Sequence, residues 1–322
     1  MKKIAVFTSG GDSPGMNAAI RAVVRSGIYN GLEVVGITHG YEGMIEGKFT
    51  TMESRSVSGI IQRGGTILKT ARSKRFMTPE GMKLAFDNLQ QEKIEGVVAI
   101  GGDGTFRGAV EFTNTYSIPF VGIPGTIDND LAGTDYTLGF DTAINTVVEA
   151  VDKIRDTAAS HDRLFFVEVM GRDAGSIALL SGISVGAEAI LIPETKTHVD
   201  KLISTLQSGW HKNKKSMIVI VAEGDEAGGA YKIAELVKDK ITNIDTRVTV
   251  LGHIQRGGNP TCNDRVLASR LGVAAVEALL KGRKQEMIGL VNNEISYTPF
   301  AQAVKQHIIN QNLLKIAEIL SM

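Results

Sequence analysis

Cysteine is nearly missing. Cys262 is the only one in 322 residues, so no disulfide can form within the chain and no cysteine-built zinc site exists. A reducing compartment, the cytoplasm, is therefore the expected location. Charge of one sign has no surplus: 35 Lys plus Arg face 35 Asp plus Glu, which argues against a general nucleic-acid or membrane-surface binder. Long hydrophobic runs are absent as well. The apolar start Ile4 to Phe7 stops before Gly10, Gly11 and Asp12, and Met217 to Ala222 is the longest comparable stretch elsewhere. A bilayer span needs about 20 residues, so neither a membrane nor a nucleic-acid partner is expected. Proline is scarce at 7 while glycine reaches 36, a composition of tight loops in which backbone approaches backbone or ligand. With 43% hydrophobic and 22% charged residues the chain is globular. Its length calls for two domains of about 100–200 residues.

Short apolar runs alternate with amphipathic stretches, the pattern of an α/β protein. Strands are predicted at Ile4 to Thr8, Glu33 to Thr38, Gly96 to Ile100, Phe120 to Ile123, Leu164 to Val169, Ala189 to Ile192, Met217 to Ala222, Arg247 to Leu251 and Met287 to Val291. Between them, Ile144, Val147, Val148, Val151, Ile154 and Ala158 recur at helical spacing and predict a helix over Asp141 to Ala159. Further helices are predicted at Met16 to Tyr29, Lys201 to His211, Tyr231 to Lys240 and Pro260 to Leu280. The alternation implies parallel sheets covered on both faces. No linker, repeat or low-complexity segment stands out, so the chain is expected to cross between its domains more than once, with a ligand cleft between them.

Ligands of open α/β sheets bind beyond the carboxyl ends of the strands. Three early strands end in glycine- and aspartate-rich loops: Thr8 to Gly15, Gly101 to Thr105, and Pro124 to Asp130. A strand–loop–helix unit offers bare backbone N–H groups and a positive dipole end, which suits phosphate. One such loop reads equally well as a plain turn; three at one sheet edge favour a phosphate site. G-x-x-x-x-G-K-[ST] is absent, since the only Gly-Lys pair, Gly47-Lys48, lies in another context, and Arg107 breaks G-x-G-x-x-G after Gly102 and Gly104. A P-loop ATPase and a standard Rossmann dehydrogenase are both disfavoured.

The acids on these loops are Asp12, Asp103, Asp128 and Asp130. Asp103, between glycines, suits magnesium, which takes one or two carboxylates besides phosphate and water. Asp128 and Asp130 are both candidates for a base acting on a hydroxyl, against the plainer reading of side-chain-bonded turns. Arg72, Arg163, Arg172, Arg247 and Arg256 supply bidentate phosphate donors, with Arg163, Arg172 and Arg247 flanking predicted strand ends. None of the six histidines has metal-ligand spacing. His253, within a loop rich in glycine and arginine, reads as a substrate contact or a polar turn residue.

Together these stretches resemble the bacterial ATP-dependent 6-phosphofructokinases over essentially the whole chain. Seven segments fall in the family's order: Thr8 to Asn17, Arg63 to Arg72, Gly101 to Gly104, Pro124 to Asp130, Ser160 to Arg172, Ala222 to Gly224 and Thr246 to Gly258. The resemblance implies two doubly wound α/β domains with mainly parallel sheets and the active site between them. It assigns residues 1–138 plus 251–302 to a larger ATP-binding domain and 139–250 plus 303–322 to a smaller fructose 6-phosphate-binding domain. By resemblance, Gly11, Arg72, Ser73, Gly102, Asp103, Gly104 and Thr105 hold ATP, with Asp103 on magnesium. Asp128 is the base that takes the proton of the sugar 1-hydroxyl, with Thr126 beside it, and Arg172 and Arg72 stabilise the γ-phosphoryl group. Thr126, Ile127, Asp128, Met170, Gly171, Arg172, Glu223, His253, Ile254, Gln255 and Arg256 are expected to bind fructose 6-phosphate. Arg163 and Arg247 are expected to reach its 6-phosphate from a neighbouring subunit of a homotetramer.

The resemblance also implies an effector site for ADP, opposed by phosphoenolpyruvate. Its positions are Arg21, Arg25, Ser54, Arg55, Ser56, Val57, Ser58, Gly59, Arg155, Gly186, Ala187, Glu188, Lys212, Lys214, Lys215 and Ser216, with Glu188 a candidate for the accompanying magnesium. Unaided, Lys212 to Lys215 reads as a solvated basic turn. The sequence departs from the family between Ser54 and Gly59, where Arg55 adds charge and Gly59 replaces a frequent acid. The implied reaction makes fructose 1,6-bisphosphate and ADP in glycolysis. Pyrophosphate-dependent relatives carry aspartate at the position of Gly104 and lysine at that of Gly125, so glycine at both favours ATP. The alternatives are a pyrophosphate-dependent enzyme and a catalytically dead sensor of nucleotide and sugar phosphate.

Overall fold

The computed structural model describes residues 1–211, 216–241, 244–306 and 309–320. They form two compact units. The first comprises Met1–Ile127, Leu131–Thr142 and Arg256–Gln306, the second Asp128–Asp130, Ala143–Gln255 and His307–Met322.

The first unit holds a seven-stranded sheet. In chain order its strands are β1 (Lys3–Thr8), β2 (Glu33–Ile37), β3 (Phe49–Met52), β4 (Gly96–Gly101), β5 (Phe120–Pro124), β10 (Glu286–Val291) and β11 (Glu294–Pro299), arranged β11-β10-β5-β4-β1-β2-β3. Side-chain alternation builds its two cores. Ile4, Val6, Val98 and Ile100 face helices α1 (Met16–Tyr29) and α9 (Cys262–Leu280). Ala5, Phe7, Val97 and Ala99 lie in the opposite core with residues of α2 (Gly40–Ile45), α3 (Pro79–Gln91) and α4 (Asp103–Thr115). Strands covered on both faces have no polar side to alternate, hence their continuous apolar sequences.

The second unit holds a fully parallel four-stranded sheet of β6 (Arg163–Val169), β7 (Ala189–Leu191), β8 (Met217–Ala222) and β9 (Asp245–Val250), in the order β7-β8-β6-β9. Leu164, Phe166, Val219 and Val221 pack with residues of α7 (Val199–His211) and α8 (Ala230–Lys238). Helix α5 (Phe140–Ser160) starts in the first unit and continues into the second, which also contains α6 (Ser176–Ser184) and α10 (Gln311–Leu320).

Three local expectations change. Both edges of the large sheet are antiparallel, β3 on β2 and β11 on β10. The β10–β11 turn uses Asn292 and Asn293, both left-handed at φ 50° and 65°, the requirement of a tight hairpin. Pro260 lies outside α9, because Thr261 is the N-cap and its Oγ1 accepts the Asp264 N–H at 3.3 Å. The loop glycines near Asp103 hid a helix, α4, that begins at that residue. Among the described residues no helix is long and apolar enough to cross a membrane.

Candidate active site

Strands β1, β4 and β5 are adjacent and parallel, with Thr8 opposite Ile100 and Gly101 opposite Pro124. Their three glycine-rich loops therefore leave one edge of the large sheet. Gly102 is the N-cap of α4 and supplies no side-chain cap; the Thr105 N–H turns back to the Gly102 carbonyl at 2.9 Å, which leaves the N–H groups of Asp103 and Gly104 to face an anion. A Cβ built on Gly104 meets nothing within 4 Å, leaving open space over the loop. Asp103 pairs with Arg107 at 3.0 Å, but the Arg107 side chain is 69% exposed, and so exposed a pair yields readily to a cation. No cluster of three or more acidic, His or Cys residues could hold a metal among the described residues. Asp103 offers a single carboxylate, which magnesium can take beside phosphate oxygens and water.

Other parts of the first unit brace these loops. Buried Tyr41 donates its hydroxyl to the Thr105 carbonyl at 2.6 Å, and burial raises its pKa above the ordinary tyrosine value. Asn17 donates to the carbonyls of Arg63 and Gly64, both at 3.1 Å, and accepts the Ile67 N–H at 2.7 Å. Glu42 accepts from Ser73 Oγ at 2.5 Å and from Arg75 Nη1 at 2.6 Å, fixing the segment that follows exposed Arg72. Thr137 Oγ1 donates to the Thr126 carbonyl at 2.6 Å. Arg256 lies against Gly11, where any Cβ would run into its guanidinium, and donates to the Asp12 carbonyl at 3.3 Å. That arginine was expected with the sugar contacts; within its own unit it sits on the loop after β1.

The second unit gathers Asp128, Met170, Gly171, Arg172, Glu223 and Gln255. Asp128 is 4% exposed, and its Oδ2 lies 3.7 Å from Arg172 Nε. Arg172 follows the carboxyl end of β6 and is left-handed at φ 52°. Glu223, directly after β8, accepts the N–H groups of Gly171 at 3.3 Å and Arg172 at 2.8 Å. His253 and Ile254 are exposed on a short 3-10 helix, Gly252–Arg256, whereas Gln255 is buried. Arg163 and Arg247 do not join this group. Arg163 opens β6, and Arg247 lies within β9, whose first residue pairs with Arg163. Both bind Asp245, Arg163 Nε at 2.7 Å and Arg247 Nη2 at 3.0 Å. The Arg163 hydrogen bond, then Arg247, holds the Asp245 carboxyl below its usual range.

The expected effector residues fall in both units. On α1, Arg21 and Arg25 stand one turn apart with no ion-pair partner among the described residues. Burial first, and Arg25 second, lowers the Arg21 pKa. Ser54, Arg55, Ser56 and Val57 form a short 3-10 helix closed by a Glu53–Ser56 capping box, and Gly59 is left-handed at φ 66°. In the second unit Arg155 donates to the Val185 carbonyl, beside left-handed Gly186. Glu188 is already engaged, its Oε2 accepting the Ile218 N–H at 2.6 Å. Lys212, Lys214 and Lys215 lie outside the described residues. Tyr41, Glu42 and Glu194 went unnoticed in the sequence. Their partners are distant in sequence, and nothing local marks them.

The sequence pattern described as Phosphofructokinase matches residues 3–279. The chain is 57% identical over 305 residues to ATP-dependent 6-phosphofructokinase 2 of Bacteroides thetaiotaomicron, covering 95% of this chain and 94% of that protein. It is 55% identical over 323 residues to ATP-dependent 6-phosphofructokinase 1 of Thermus thermophilus, covering all of both. Among solved structures, phosphofructokinase from Saccharomyces cerevisiae superposes with a TM-score of 0.88 at 37% identity, over 99% of this chain and 46% of that longer one. A pyrophosphate-dependent phosphofructokinase from Marinobacter aquaeolei shares the fold, with a TM-score of 0.84 at 22% identity over 99% of this chain and 91% of that one.

Proposed function

The chain belongs to the phosphofructokinase family, and we propose that it transfers the γ-phosphoryl group of ATP to the 1-hydroxyl of fructose 6-phosphate, giving fructose 1,6-bisphosphate and ADP. The observation that carries this reading is the buried Asp128 carboxylate with the Arg172 guanidinium 3.7 Å away. A carboxylate can take the proton of an attacking hydroxyl, and the adjacent cation can oppose the charge of a phosphoryl group in transfer. Phosphoryl transfer asks a protein for this positioning and charge stabilisation rather than for covalent chemistry.

Residues of the first unit would serve the donor. Gly11, Ser73 and Gly102 to Thr105 bind ATP, and Arg72 shares the γ-phosphoryl charge with Arg172. Magnesium bound at Asp103 would neutralise charge on the phosphate oxygens. The acceptor falls to Thr126, Ile127, Asp128, Met170, Gly171, Arg172, Glu223, His253, Ile254 and Arg256. We assign 1–138 plus 251–302 mainly to ATP and 139–250 plus 303–322 mainly to the sugar phosphate, although Thr126, Ile127, Asp128, His253, Ile254 and Arg256 of the sugar set are numbered within the former. Open space over Gly104 supports ATP over pyrophosphate, because an aspartate there would crowd and repel the nucleotide α-phosphate.

Arg163 begins β6, whereas Arg172 follows its end. At about 3.3 Å per residue the strand separates them by roughly 20 Å. This supports a homotetramer in which Arg163 and Arg247 serve the 6-phosphate of an adjacent subunit. Two arginines on α1 without an ion-pair partner among the described residues favour an anionic effector, ADP or phosphoenolpyruvate, in a glycolytic enzyme of the cytoplasm. A coupled assay with magnesium, fructose 6-phosphate and either ATP or pyrophosphate tests the reading. Turnover with ATP is expected; turnover with pyrophosphate alone would establish the other donor, and none with either would leave the sensor.

A further inference from the structure

The turn that presents Arg172 is held at nearly every backbone donor. Met170 N–H is accepted by Gln255 Oε1 at 3.2 Å, and Glu223 Oε1 takes the next two N–H groups. Ala174 N–H closes the turn on the Gly171 carbonyl at 2.9 Å. Gly175 N–H is accepted by Glu194 Oε1 at 2.8 Å. Such restraint is needed because the backbone is not at rest in an ordinary conformation. Gly171 has φ 146° and Arg172 φ 52°, the second a left-handed state that a residue with a Cβ adopts reluctantly. Left without acceptors, this turn would relax, and the Arg172 side chain would leave Asp128.

Gln255 is the least expected of these anchors. The family resemblance places it among the sugar contacts, yet it is 0% exposed. Both ends of its amide are used inside the protein, since Nε2 donates to the Gly252 carbonyl at 3.0 Å. Its neighbours His253 and Ile254 are exposed. A side chain so enclosed reaches a ligand only through the residues it holds. We propose that Gln255 is a positioning residue for the reaction: from the 3-10 helix Gly252–Arg256 it grips Met170, and with Glu194 at the far end of the turn it keeps Arg172 left-handed beside Asp128. This rests on the reading of Arg172 as the arginine that stabilises the transferring phosphoryl group.

The test uses the full-length enzyme with ATP, magnesium and fructose 6-phosphate. Gln255→Leu removes the acceptor for Met170 N–H, and an arginine displaced by about 1 Å should lower kcat up to roughly 100-fold. KM for fructose 6-phosphate should stay within about threefold, the signature of an interaction lost in the transition state. In an Arg172→Ala background the same change should add less than about threefold, because residues acting through one group are not additive. Glu194→Leu should behave likewise, and Glu194→Gln, which keeps an oxygen acceptor, should retain most turnover. If Gln255→Leu does not fold, the Glu194 pair and its coupling to Arg172→Ala decide the matter. A raised KM with kcat intact would mean that Gln255 serves sugar binding, directly or through Met170, rather than the placement of Arg172, and would overturn the proposal. So would full additivity with Arg172→Ala, or a lower melting temperature with unchanged kinetics. An inactive wild type removes the functional reading and the proposal together, whereas an active wild type indifferent to these variants removes only the proposal.

Discussion

Gly224→Ala offers the sharpest steric test of the site. Gly224 follows Glu223 at the end of β8, and a Cβ built there lies 1.9 Å from the Arg172 carbonyl oxygen, 2.9 Å from its carbonyl carbon and 3.5 Å from Asp173 Cα. Every atom in the way is backbone, so no side chain can rotate aside. Real Cβ contacts stay beyond 3.0 Å, so the Arg172 turn must retreat by about 1 Å, the displacement that can lower a rate ~100-fold. The turn has little slack, because Glu223 already binds its N–H groups at 2.8 and 3.3 Å. In free energy the loss is about 2.7 kcal/mol of transition-state stabilisation. Initial rates from a coupled assay should show the loss in kcat, while KM for ATP stays close to wild type, since the residues read as donor contacts lie in the first unit. A kcat within about threefold of wild type would refute the reasoning. It would mean that the position of the Arg172 backbone does not control turnover.

Asp128→Asn should lower kcat by ~10²–10⁴-fold, as expected of a positioned base, with fructose 6-phosphate binding largely kept; more than half of wild-type turnover would move the role to Asp130. Arg25→Ala and Arg155→Ala should abolish the response of the fructose 6-phosphate saturation curve to ADP and phosphoenolpyruvate, a coupling of ~1–3 kcal/mol, and leave unregulated turnover nearly intact; curves that shift as the wild type's do would exclude the effector role. Asp264 is buried and accepts the N–H groups of Gly139 at 2.8 Å and Thr142 at 2.9 Å. Burial nevertheless raises its pKa above the usual aspartate value. Folding then binds a proton there, so the contribution of this group to stability falls as pH rises from about 4 through the raised value. Asp264→Asn should flatten that part of the urea-midpoint profile, although losing an acceptor for those N–H groups lowers stability overall; an unchanged slope would show that Asp264 does not titrate in this way.

Much of the site was legible because its chemistry is local. Gly10-Gly11-Asp12, Gly101 to Thr105 and Pro124 to Asp130 each follow an apolar run, and a loop after a buried strand announces itself through glycine and aspartate. The regular alternation of strands and helices likewise specified an α/β fold. Less legible were elements without a periodic signature. The edge strands β3 and β11 have half-exposed faces, and α4 starts amid glycines that read as loop.

What the sequence determined by itself is therefore the class of fold, the glycine- and aspartate-rich loops at the strand ends, and a family resemblance dense enough to name a reaction. What only the tertiary structure decided is which residues meet. Arg172 and Asp128 are 44 positions apart by their numbers, yet they stand 3.7 Å apart in space. Gln255, expected among the ligand contacts, is buried and accepts the Met170 N–H. Arg163 and Arg172 look close in sequence, yet an intervening strand places them at opposite ends of the small sheet. The physical reason is common to all three. Local periodicity and turn chemistry are set by neighbours along the chain, whereas side-chain position is set by strand order, register and direction, which depend on pairings between distant segments.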